Sequence, residues 1–367
     1  MRPPPPIGLL AELTHRCPLR CPYCSNPVDL ARRSAELDTD TWRRVFREAA
    51  DLGILHVHLS GGEPTARADI VELTRAATEA GLYTNLITSG VGLKQDRLEA
   101  LATAGLDHLQ LSVQDVLETE ADRVAGRRGA HAEKRSVAGW TVAAGLPLTI
   151  NAVIHRGNIG RIEAIIDEAV ALGARRIEIA HAQYYGWGLL NRAALLPERE
   201  ETLLARTVVE RAQAGLEGAI VIDYVAPDQF ARHPKPCMSG WGRRFIVVTP
   251  TGRALPCHAA ESIPSLEFWT VRDRSLGDIW ERSPAFAAFR GTEWMREPCA
   301  SCPRKEVDFG GCRCQAHALT GDASNTDPAC IWSPGRDAIR SAPPAHRRKQ
   351  VVYRKYGQAR QSPVNRR

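Results

Sequence analysis

The segment AELTHRCPLRCPYC, residues 11–24, carries three cysteines directly after a short β-rich run. The run is predicted as the first strand of the chain, and Cys17, Cys21 and Cys24 follow it at the spacing CxxxCxxC. Parallel α/β folds place their active sites at the carboxyl ends of strands. The three thiols are therefore predicted to lie in a functional loop at such a strand end.

Outward from this loop, short β-rich runs alternate with longer amphipathic stretches up to about residue 225. Strands recur about every 25 to 40 residues, and several helical stretches close with glycine, as helix C-termini often do. This repeat predicts a parallel sheet with right-handed crossovers. Six such units fit either an open doubly wound sheet or an incomplete barrel, and periodicity does not separate the two. The predicted strands are LLAELTH, HVHLSG, YTNLITSG, HLQLSVQ, LTINAVI and RIEIAHA.

After about residue 228 the helical periodicity fades, and seven of the ten cysteines lie in this part of the chain. RRFIVVTPTGRALPCH, residues 243–258, predicts two strands joined by a turn at Pro250-Thr251-Gly252. SLGDIWERSPAFAAFRG, residues 275–291, predicts one helix. A segment so poor in core-forming residues needs a cross-link, which cysteines can supply through metal. We therefore divide the chain into residues 1–228, residues 229–334 and a tail, residues 335–367.

The net charge of +6 arises at the C-terminal end of the chain. Residues 338–367 hold nine Lys and Arg and no Asp or Glu, and the remainder holds 39 basic against 42 acidic residues. The body therefore gives no sign of a nucleic-acid-binding surface. The tail is predicted to be disordered and dispensable for chemistry, because it cannot bury enough apolar surface to offset its ordering entropy. An anion-binding or partner-binding arm is the alternative.

No run of the sequence approaches the ~18 apolar residues of a membrane helix. The N-terminus also lacks the apolar stretch and cleavage site of a signal peptide. We therefore expect a cytoplasmic protein. In a reducing compartment, ten cysteines indicate metal ligands or catalytic thiols and not a disulfide framework.

Three cysteines in one short loop suit an iron–sulfur cluster with one open corner. Such clusters take cysteine thiolates, usually four, so three leave one iron free for a ligand, as catalytic zinc sites keep one open position. The alternative is a zinc site with a distant fourth ligand such as His15. The spacing disfavours zinc, because zinc ribbons use paired CxxC motifs.

With an aromatic residue before its third cysteine, this loop resembles the radical S-adenosylmethionine (SAM) superfamily. SGGEP, residues 60–64, ends the second predicted strand and resembles the second signature of that superfamily. The resemblance implies a partial (β/α)6 barrel, a 4Fe-4S cluster on the three cysteines, and SAM chelating the open iron. The glycines would permit close backbone approach, and the Glu63 carboxylate would complement the cationic sulfonium. The implied SAM-binding residues are Tyr23, Gly61, Gly62, Glu63, Pro64, Ser112 and Gln114. The alternatives are a packing role for Tyr23 and ordinary strand-end polar residues for Ser112 and Gln114. The stretch AHAQYYGWG, residues 180–188, is expected either to line the cofactor or substrate pocket or to form a plain aromatic lid.

The second cysteine region resembles the SPASM extension of peptide-modifying radical SAM enzymes, which carries two auxiliary iron–sulfur clusters. One position departs from the family pattern: Asp308 stands where a cysteine is expected, and Cys314 is an extra cysteine two residues after Cys312. Seven cysteines and Asp308 make the eight ligands that two fully ligated clusters need. The alternative for Asp308 is a surface acid beside Arg304 and Lys305. A zinc ribbon on the pairs Cys299/Cys302 and Cys312/Cys314 is the alternative, and it leaves three cysteines idle. By the family's wiring, one auxiliary cluster is assigned to Cys237, Cys257, Cys312 and Cys314, and the other to Cys299, Cys302, Asp308 and Cys330.

Longer matches narrow the resemblance to the PqqA peptide cyclases of pyrroloquinoline quinone (PQQ) biosynthesis. They include AELTHRCPLRCPYCSNP, SGWGRRFIVVTPTGRALPCHAAE and GGCRCQAHALTGDASNTDPAC, and the resemblance covers roughly residues 5–334. It implies an oxidoreductase that forms a carbon–carbon cross-link between a Glu and a Tyr side chain of the precursor peptide PqqA. It also implies a separate PqqD-like peptide-binding chaperone and an electron donor such as flavodoxin. Two alternatives stay open: another SPASM-type peptide modifier that forms a thioether or oxidises a side chain, and a non-catalytic iron–sulfur electron carrier.

Overall fold

The computed structural model describes residues 3–340 and 351–354. Within them, nine strands form one sheet in the spatial order β7-β6-β5-β4-β3-β2-β1-β8-β9. Neighbouring strands are parallel except for the antiparallel pair β8 and β9. The strands are β1 Gly8–Thr14, β2 His56–Gly61, β3 Tyr83–Thr88, β4 His108–Val113, β5 Leu148–Ile154, β6 Arg176–His181, β7 Val221–Val225, β8 Phe245–Val248 and β9 Ala254–Leu255.

All six predicted strands are present, as β1 to β6, and their parallel pairing in chain order confirms the partial (β/α)6 barrel. The strand β7 extends the sheet beyond β6 and was not predicted from the sequence. Of its five residues only Ile222 is buried, and Val221 is exposed. A strand at a sheet edge with a single buried side chain lacks the apolar pattern that identifies a strand in a sequence.

Helices follow the parallel strands and pack against the sheet. The helix α1 shows why: it buries Trp42, Val45, Phe46 and Ala49, which lie three or four residues apart and so share one face. None of the helices in the described part is long and apolar enough to span a bilayer. The helices are α1 Thr39–Asp51, α2 Ile70–Glu79, α3 Gln95–Thr103, α4 Glu118–Ala125, α5 Ala130–Ala143, α6 Ile162–Ala171, α7 Gly186–Leu190, α8 Arg192–Leu195, α9 Arg199–Gly215, α10 Leu276–Arg282, α11 Pro284–Ala287, α12 Lys305–Asp308, α13 Arg313–Thr320 and α14 Arg336–Arg340.

The predicted hairpin after residue 243 is confirmed as β8 and β9. Gly252 in the turn has φ +93°, a backbone conformation that favours glycine. The hairpin does not stand alone, because β8 pairs in parallel with β1, with Gly8 opposite Phe245. The barrel sheet therefore continues into the cysteine-rich region. The division at residue 228 remains a prediction.

The single helix predicted over residues 275–291 is wrong. The structure has two helices there, because α10 ends at Arg282 and α11 begins at Pro284. Proline has no N–H to donate and suits the first turn of a new helix. The two helices stay in contact through the edge-to-face rings of Trp280 and Phe286, whose centroids are 5.5 Å apart.

The tail differs from its prediction in the two stretches that the structure describes. Residues 336–340 form the helix α14. Residues 351–354 pack against the barrel, and Arg354 is only 5% exposed. The expectation of disorder is therefore wrong for these residues. The remainder of the predicted tail, residues 341–350 and 355–367, lies outside the described residues.

Candidate active site and iron–sulfur sites

Cys17, Cys21 and Cys24 line one cavity of about 400 Å³, which lies at the carboxyl ends of the barrel strands. The cysteine loop begins three residues after β1 ends at Thr14. Leu19 packs with the small buried residues Ala125 and Ala130, beside Cys17 and Cys21, and so fixes the loop against α4 and α5. The structure thus brings the three predicted front ligands together at the predicted strand end.

Burial dominates the electrostatics of these three thiols. Burial raises the pKa of Cys17 to about 11 and that of Cys21 to about 12, and it also raises the pKa of Cys24. Glu63 raises the pKa of Cys17 further through its charge. Without metal, these three crowded thiols keep their protons. Bound metal deprotonates a coordinating thiol outright, and the resulting group of three thiolates is a donor set that fits an iron–sulfur cluster.

The zinc alternative assigned His15 as a distant ligand. The His15 Nδ1 instead accepts a hydrogen bond of 3.0 Å from the Ala31 N–H. Its Nε2 lies 3.9 Å from the Glu12 carboxylate. His15 is absent from the residues that line the cysteine cavity in the described structure. This placement gives no support to a zinc site completed by His15.

Of the residues implied to bind SAM, five line the cysteine cavity. Gly61 and Gly62 are glycines because another backbone approaches them closely. A Cβ on Gly61 would lie 2.4 Å from the Thr14 carbonyl oxygen, and one on Gly62 would lie 2.5 Å from the Arg16 carbonyl oxygen. The backbone that requires these glycines is therefore the end of β1 and the residues that lead from it into the cysteine loop. The five lining residues are Tyr23, Gly61, Gly62, Ser112 and Gln114.

Glu63 and Pro64 are absent from the lining of this cavity. Glu63 is 1% exposed, and its carboxylate accepts hydrogen bonds from Thr65, Thr88 and Ser89. Pro64 is buried and begins a short 3-10 turn, Pro64–Ala66. The Glu63 carboxylate ties the segment after β2 to the end of β3. Its complementing of the SAM sulfonium stays a prediction.

Lys134 is a residue near the cysteines that the sequence analysis missed. It is 3% exposed, and its Nζ donates to the carbonyl oxygens of Ser89 at 2.7 Å and Ser112 at 2.8 Å. Burial lowers its pKa to about 8, against the opposing charges of Cys21 and Glu63. The sequence did carry a signal, because Lys134 shares the buried face of α5 that includes Ala130, Val137, Ala138 and Thr141.

The stretch 180–188 lines the cavity in part. Ala180, His181 and Gln183 belong to its wall. His181 and Gln183 also line a second cavity of about 230 Å³, together with Tyr185. The hydroxyl of Tyr185 lies 2.8 Å from the Sγ of Cys312. This stretch therefore connects the front cysteine cavity with the cysteines of the second region.

The first predicted auxiliary set is brought together. The Cys237 thiol contacts those of Cys257 and Cys312, and the Cys314 thiol contacts the same two. His258 hydrogen-bonds Cys257 and lines both cavities. Burial lowers the pKa of His258, but the hydrogen bond and charge of Cys257 outweigh it and raise that pKa to about 9.

The second predicted auxiliary set, Cys299, Cys302, Asp308 and Cys330, lines one small cavity. Asp308 is 7% exposed, so it is not the surface acid that its charged neighbours suggest. Its Oδ1 accepts from the Gly310 N–H at 3.1 Å, and Arg304 Nε lies 3.4 Å from its Oδ2.

The zinc-ribbon alternative required Cys299 and Cys302 to share one site with Cys312 and Cys314. The structure places the two pairs in different groups, so this alternative is wrong. Across the described residues, no group of three or more His, Cys, Asp or Glu is arranged for a single metal ion. An iron–sulfur cluster makes a different demand, since its thiolates bind different irons.

Two family models match the chain. The radical SAM superfamily model matches residues 11–169, and an iron–sulfur cluster-binding domain, SPASM, matches residues 237–303. Solved structures share the fold. Streptococcus suis SuiB bound to S-adenosylmethionine aligns with a TM-score of 0.74 at 20% identity, over 89% of this chain and 78% of that chain. Native anSMEcpe with bound AdoMet aligns with a TM-score of 0.63 at 13% identity, over 91% and 96%. These likenesses confirm a radical SAM barrel with a SPASM region.

Curated relatives are much closer in sequence. A PqqA peptide cyclase of Methylocella silvestris is 64% identical over 334 residues, which cover 91% of this chain and 90% of the relative. A PqqA peptide cyclase of Methylorubrum extorquens strain PA1 is 58% identical over 370 aligned residues, covering 99% and 95%. Identity of this size over nearly the whole length, on a fold with three grouped cysteine sites, establishes that this chain belongs to the PqqA peptide cyclase family.

Proposed function

We propose that this chain joins a Glu and a Tyr side chain of a PqqA-like precursor peptide by a carbon–carbon bond, as a step of PQQ biosynthesis. The observation that carries the proposal is the connection between two cavities. His181, Gln183 and His258 line both the front cysteine cavity and the cavity that reaches Cys237, Cys257 and Cys312. A peptide side chain held at this junction has the radical-generating site on one side and an electron acceptor site on the other.

When bound at the front cysteines, the cluster and SAM supply a 5′-deoxyadenosyl radical that can take a hydrogen atom from a carbon. The chain's own residues enclose that reaction. Tyr23 packs against His155, with ring centroids 5.7 Å apart, and hydrogen-bonds Gln114. Ser112 is held by the buried Lys134. These contacts fix one wall of the cavity, and a closed wall keeps water away from a reactive intermediate.

The cross-link forms one carbon–carbon bond and breaks one C–H bond on each side chain. The Glu side chain gives up a hydrogen atom, and the Tyr ring then gives up a proton and one electron as it regains aromaticity. The electron has an acceptor site beside the junction, at the Cys237, Cys257, Cys312 and Cys314 set. Two carboxylates line the second cavity and could receive the proton, Asp228 and Asp327.

The partners belong to the same proposal. A PqqA-like peptide is the substrate class that the names of the relatives carry. We also propose a separate PqqD-like chaperone for the peptide and an electron donor such as flavodoxin. The donor has a chemical reason, because reductive cleavage of SAM consumes an electron. The proposal of a chaperone is supported by the resemblance of this sequence to the PqqA peptide cyclases.

The test is an anaerobic incubation of the reconstituted enzyme with PqqA, SAM and a reductant. Mass spectrometry should find the peptide lighter by two hydrogens, with fragments that place a cross-link between Glu and Tyr. A thioether or an oxidised side chain would support the other class of peptide modifier. If no 5′-deoxyadenosine forms, the chain is an electron carrier.

The matched control is the variant with Cys17, Cys21 and Cys24 all replaced by alanine. It should lose SAM cleavage and cross-linking, because these thiols alone form the front site. It should keep the auxiliary clusters, whose ligands lie in residues 237–330. Continued formation of 5′-deoxyadenosine by this variant would contradict the assignment of the front site.

A further inference from the structure

Residues 351–354, here called the C-terminal arm, lie at the front cysteine cavity. Their attachment is specific. The Val352 N–H donates to the Asn191 Oδ1 at 2.8 Å, and the Asn191 Nδ2 donates back to the Val352 carbonyl oxygen at 2.9 Å. The same Nδ2 donates to the carbonyl oxygen of Pro22, inside the cysteine loop. Asn191 is 2% exposed, so one buried side chain joins the arm to the loop that carries the front thiols.

Two further contacts fix the end of the arm. The hydroxyl of Tyr353 donates to the carbonyl oxygen of Arg123 on α4 at 3.1 Å. The Nη2 of Arg354 donates to the carbonyl oxygen of Leu19, between Cys17 and Cys21. Both acceptors are backbone groups of the barrel, so the arm needs no particular partner side chain there. Its placement depends on the barrel fold and on Asn191.

Arg354 brings a charge to the cavity wall. It lines the cavity together with Cys17 and Cys24, and its charge lowers the pKa of both thiols. Among the described residues that line this cavity, Arg354 is the only Lys or Arg, and Glu178 is the only Asp or Glu. A guanidinium presents a planar set of donors that matches a carboxylate, and such charge-assisted bonds are strong when water is excluded.

We propose that the C-terminal arm is part of the active site and that Arg354 binds a carboxylate within the cavity. Two carboxylates could enter the cavity under the proposed function, on which this inference rests. One is the methionine carboxylate of SAM, and the other is the side chain of the peptide glutamate that is cross-linked. Both use the same guanidinium chemistry. The proposal replaces the expectation that the tail is dispensable.

Arg354→Ala and Arg354→Lys separate the two carboxylates. SAM affinity is measured by equilibrium dialysis of the anaerobic, reconstituted enzyme without peptide, and the KM for PqqA is measured separately. If Arg354 binds SAM, the alanine variant should bind it about 10- to 100-fold more weakly, and lysine should restore part of the affinity. If Arg354 binds the peptide glutamate, SAM affinity should stay constant and the KM for PqqA should rise by a similar factor.

Arg206→Ala is the matched control, because that arginine is 65% exposed and pairs with Glu210 in the same helix. It should leave both measurements unchanged. If Arg354→Ala also stays within about twofold of the parent in both, the proposal is overturned. Equal losses in the alanine and lysine variants, together with faster proteolysis of the arm, would also overturn it, because Arg354 would then only anchor the chain.

Two truncations give a second, independent test. A chain that stops after residue 354 keeps the arm and should match the full-length enzyme. A chain that stops after residue 350 should show the same loss as Arg354→Ala, and unchanged binding by that chain would refute the proposal. Failure of the proposed function gives a different result, because the full-length enzyme itself would then form no cross-link.

Discussion

Glu63→Gln distinguishes the two roles that sequence and structure give to this carboxylate. The carboxylate accepts five hydrogen bonds, and each of its oxygens receives one backbone N–H. Oε1 accepts from Thr65 N at 3.1 Å, and Oε2 accepts from Ser89 N at 2.7 Å. The other three donors are the hydroxyl groups of Thr65, Thr88 and Ser89, at 2.6 to 2.7 Å. Glutamine keeps the shape but replaces one oxygen by an NH2 group.

The cost follows from this geometry. Whichever way the amide turns, its NH2 group faces one of the two backbone N–H groups, and that donor loses its acceptor. Leaving a buried donor unsatisfied costs about 1–3 kcal/mol, and the remaining bonds change from charged to neutral acceptors. The hydroxyl groups can rotate away, so they add little. We expect Glu63→Gln to lower the free energy of unfolding by about 2–4 kcal/mol.

The assay is urea unfolding of the anaerobic holoenzyme followed by circular dichroism, with SAM affinity measured on the same samples. Glu72→Gln is the control, because Glu72 is 45% exposed and pairs with Arg43 at the surface. It should change stability by less than about 0.5 kcal/mol. If Glu63→Gln unfolds like the parent while its SAM affinity falls tenfold or more, the carboxylate serves the cofactor and the structural role is refuted.

Three further predictions concern other sites. Asp308→Cys should keep the iron of its cluster but change that cluster's potential and EPR signal. Asp308→Ala should make the same cluster labile. If both variants match the parent in iron content, potential and EPR signal, Asp308 is no ligand. Tyr185→Phe removes the hydrogen bond between the Tyr185 hydroxyl and the Cys312 sulfur. This bond stabilises the reduced state of the cluster, so redox titration should find the cluster's potential lower by on the order of 40 mV, the one-electron equivalent of about 1 kcal/mol. An unchanged potential would contradict this. Burial, with smaller contributions from His56 and His108, lowers the pKa of His58 to about 4 from an unfolded value of 6.5. The contribution of His58 to stability is therefore complete above pH 6.5 and is lost as the pH falls towards 4. His58→Gln should reduce the difference in unfolding free energy between pH 7 and pH 5 by about 1–2 kcal/mol. An unchanged difference would refute the lowered pKa of His58.

The front site could be predicted from the sequence because its information is local. Three cysteines within eight residues and a glycine pair at the next strand end lie at fixed distances along the chain. The strands gave an equally local signal wherever both faces of the sheet are covered. The sequence could not show which way Glu63 points, because that depends on Thr88 and Ser89 at the end of another strand.

The C-terminal arm is the clearest failure of sequence reasoning. The apolar run Val351-Val352-Tyr353 is only three residues long and stands among basic and polar neighbours, so the composition of the tail indicates disorder. Their order comes from hydrogen bonds to Asn191, Arg123 and Leu19, which are distant in the chain. No local pattern contains partners of that kind. Lys134 differs, because its place on a buried helix face was readable and was overlooked.

The pairing of β1 with β8 affects how the chain is made. Gly8 lies opposite Phe245. One edge of β1 therefore stays unpaired until β8 has been translated, 237 residues later. At about 5–20 residues per second, the ribosome needs roughly 12–50 s to reach that partner. An open strand edge is a template for pairing with other chains. The nascent protein therefore exposes an aggregation-prone strand edge through most of its synthesis, and slower translation lengthens that exposure.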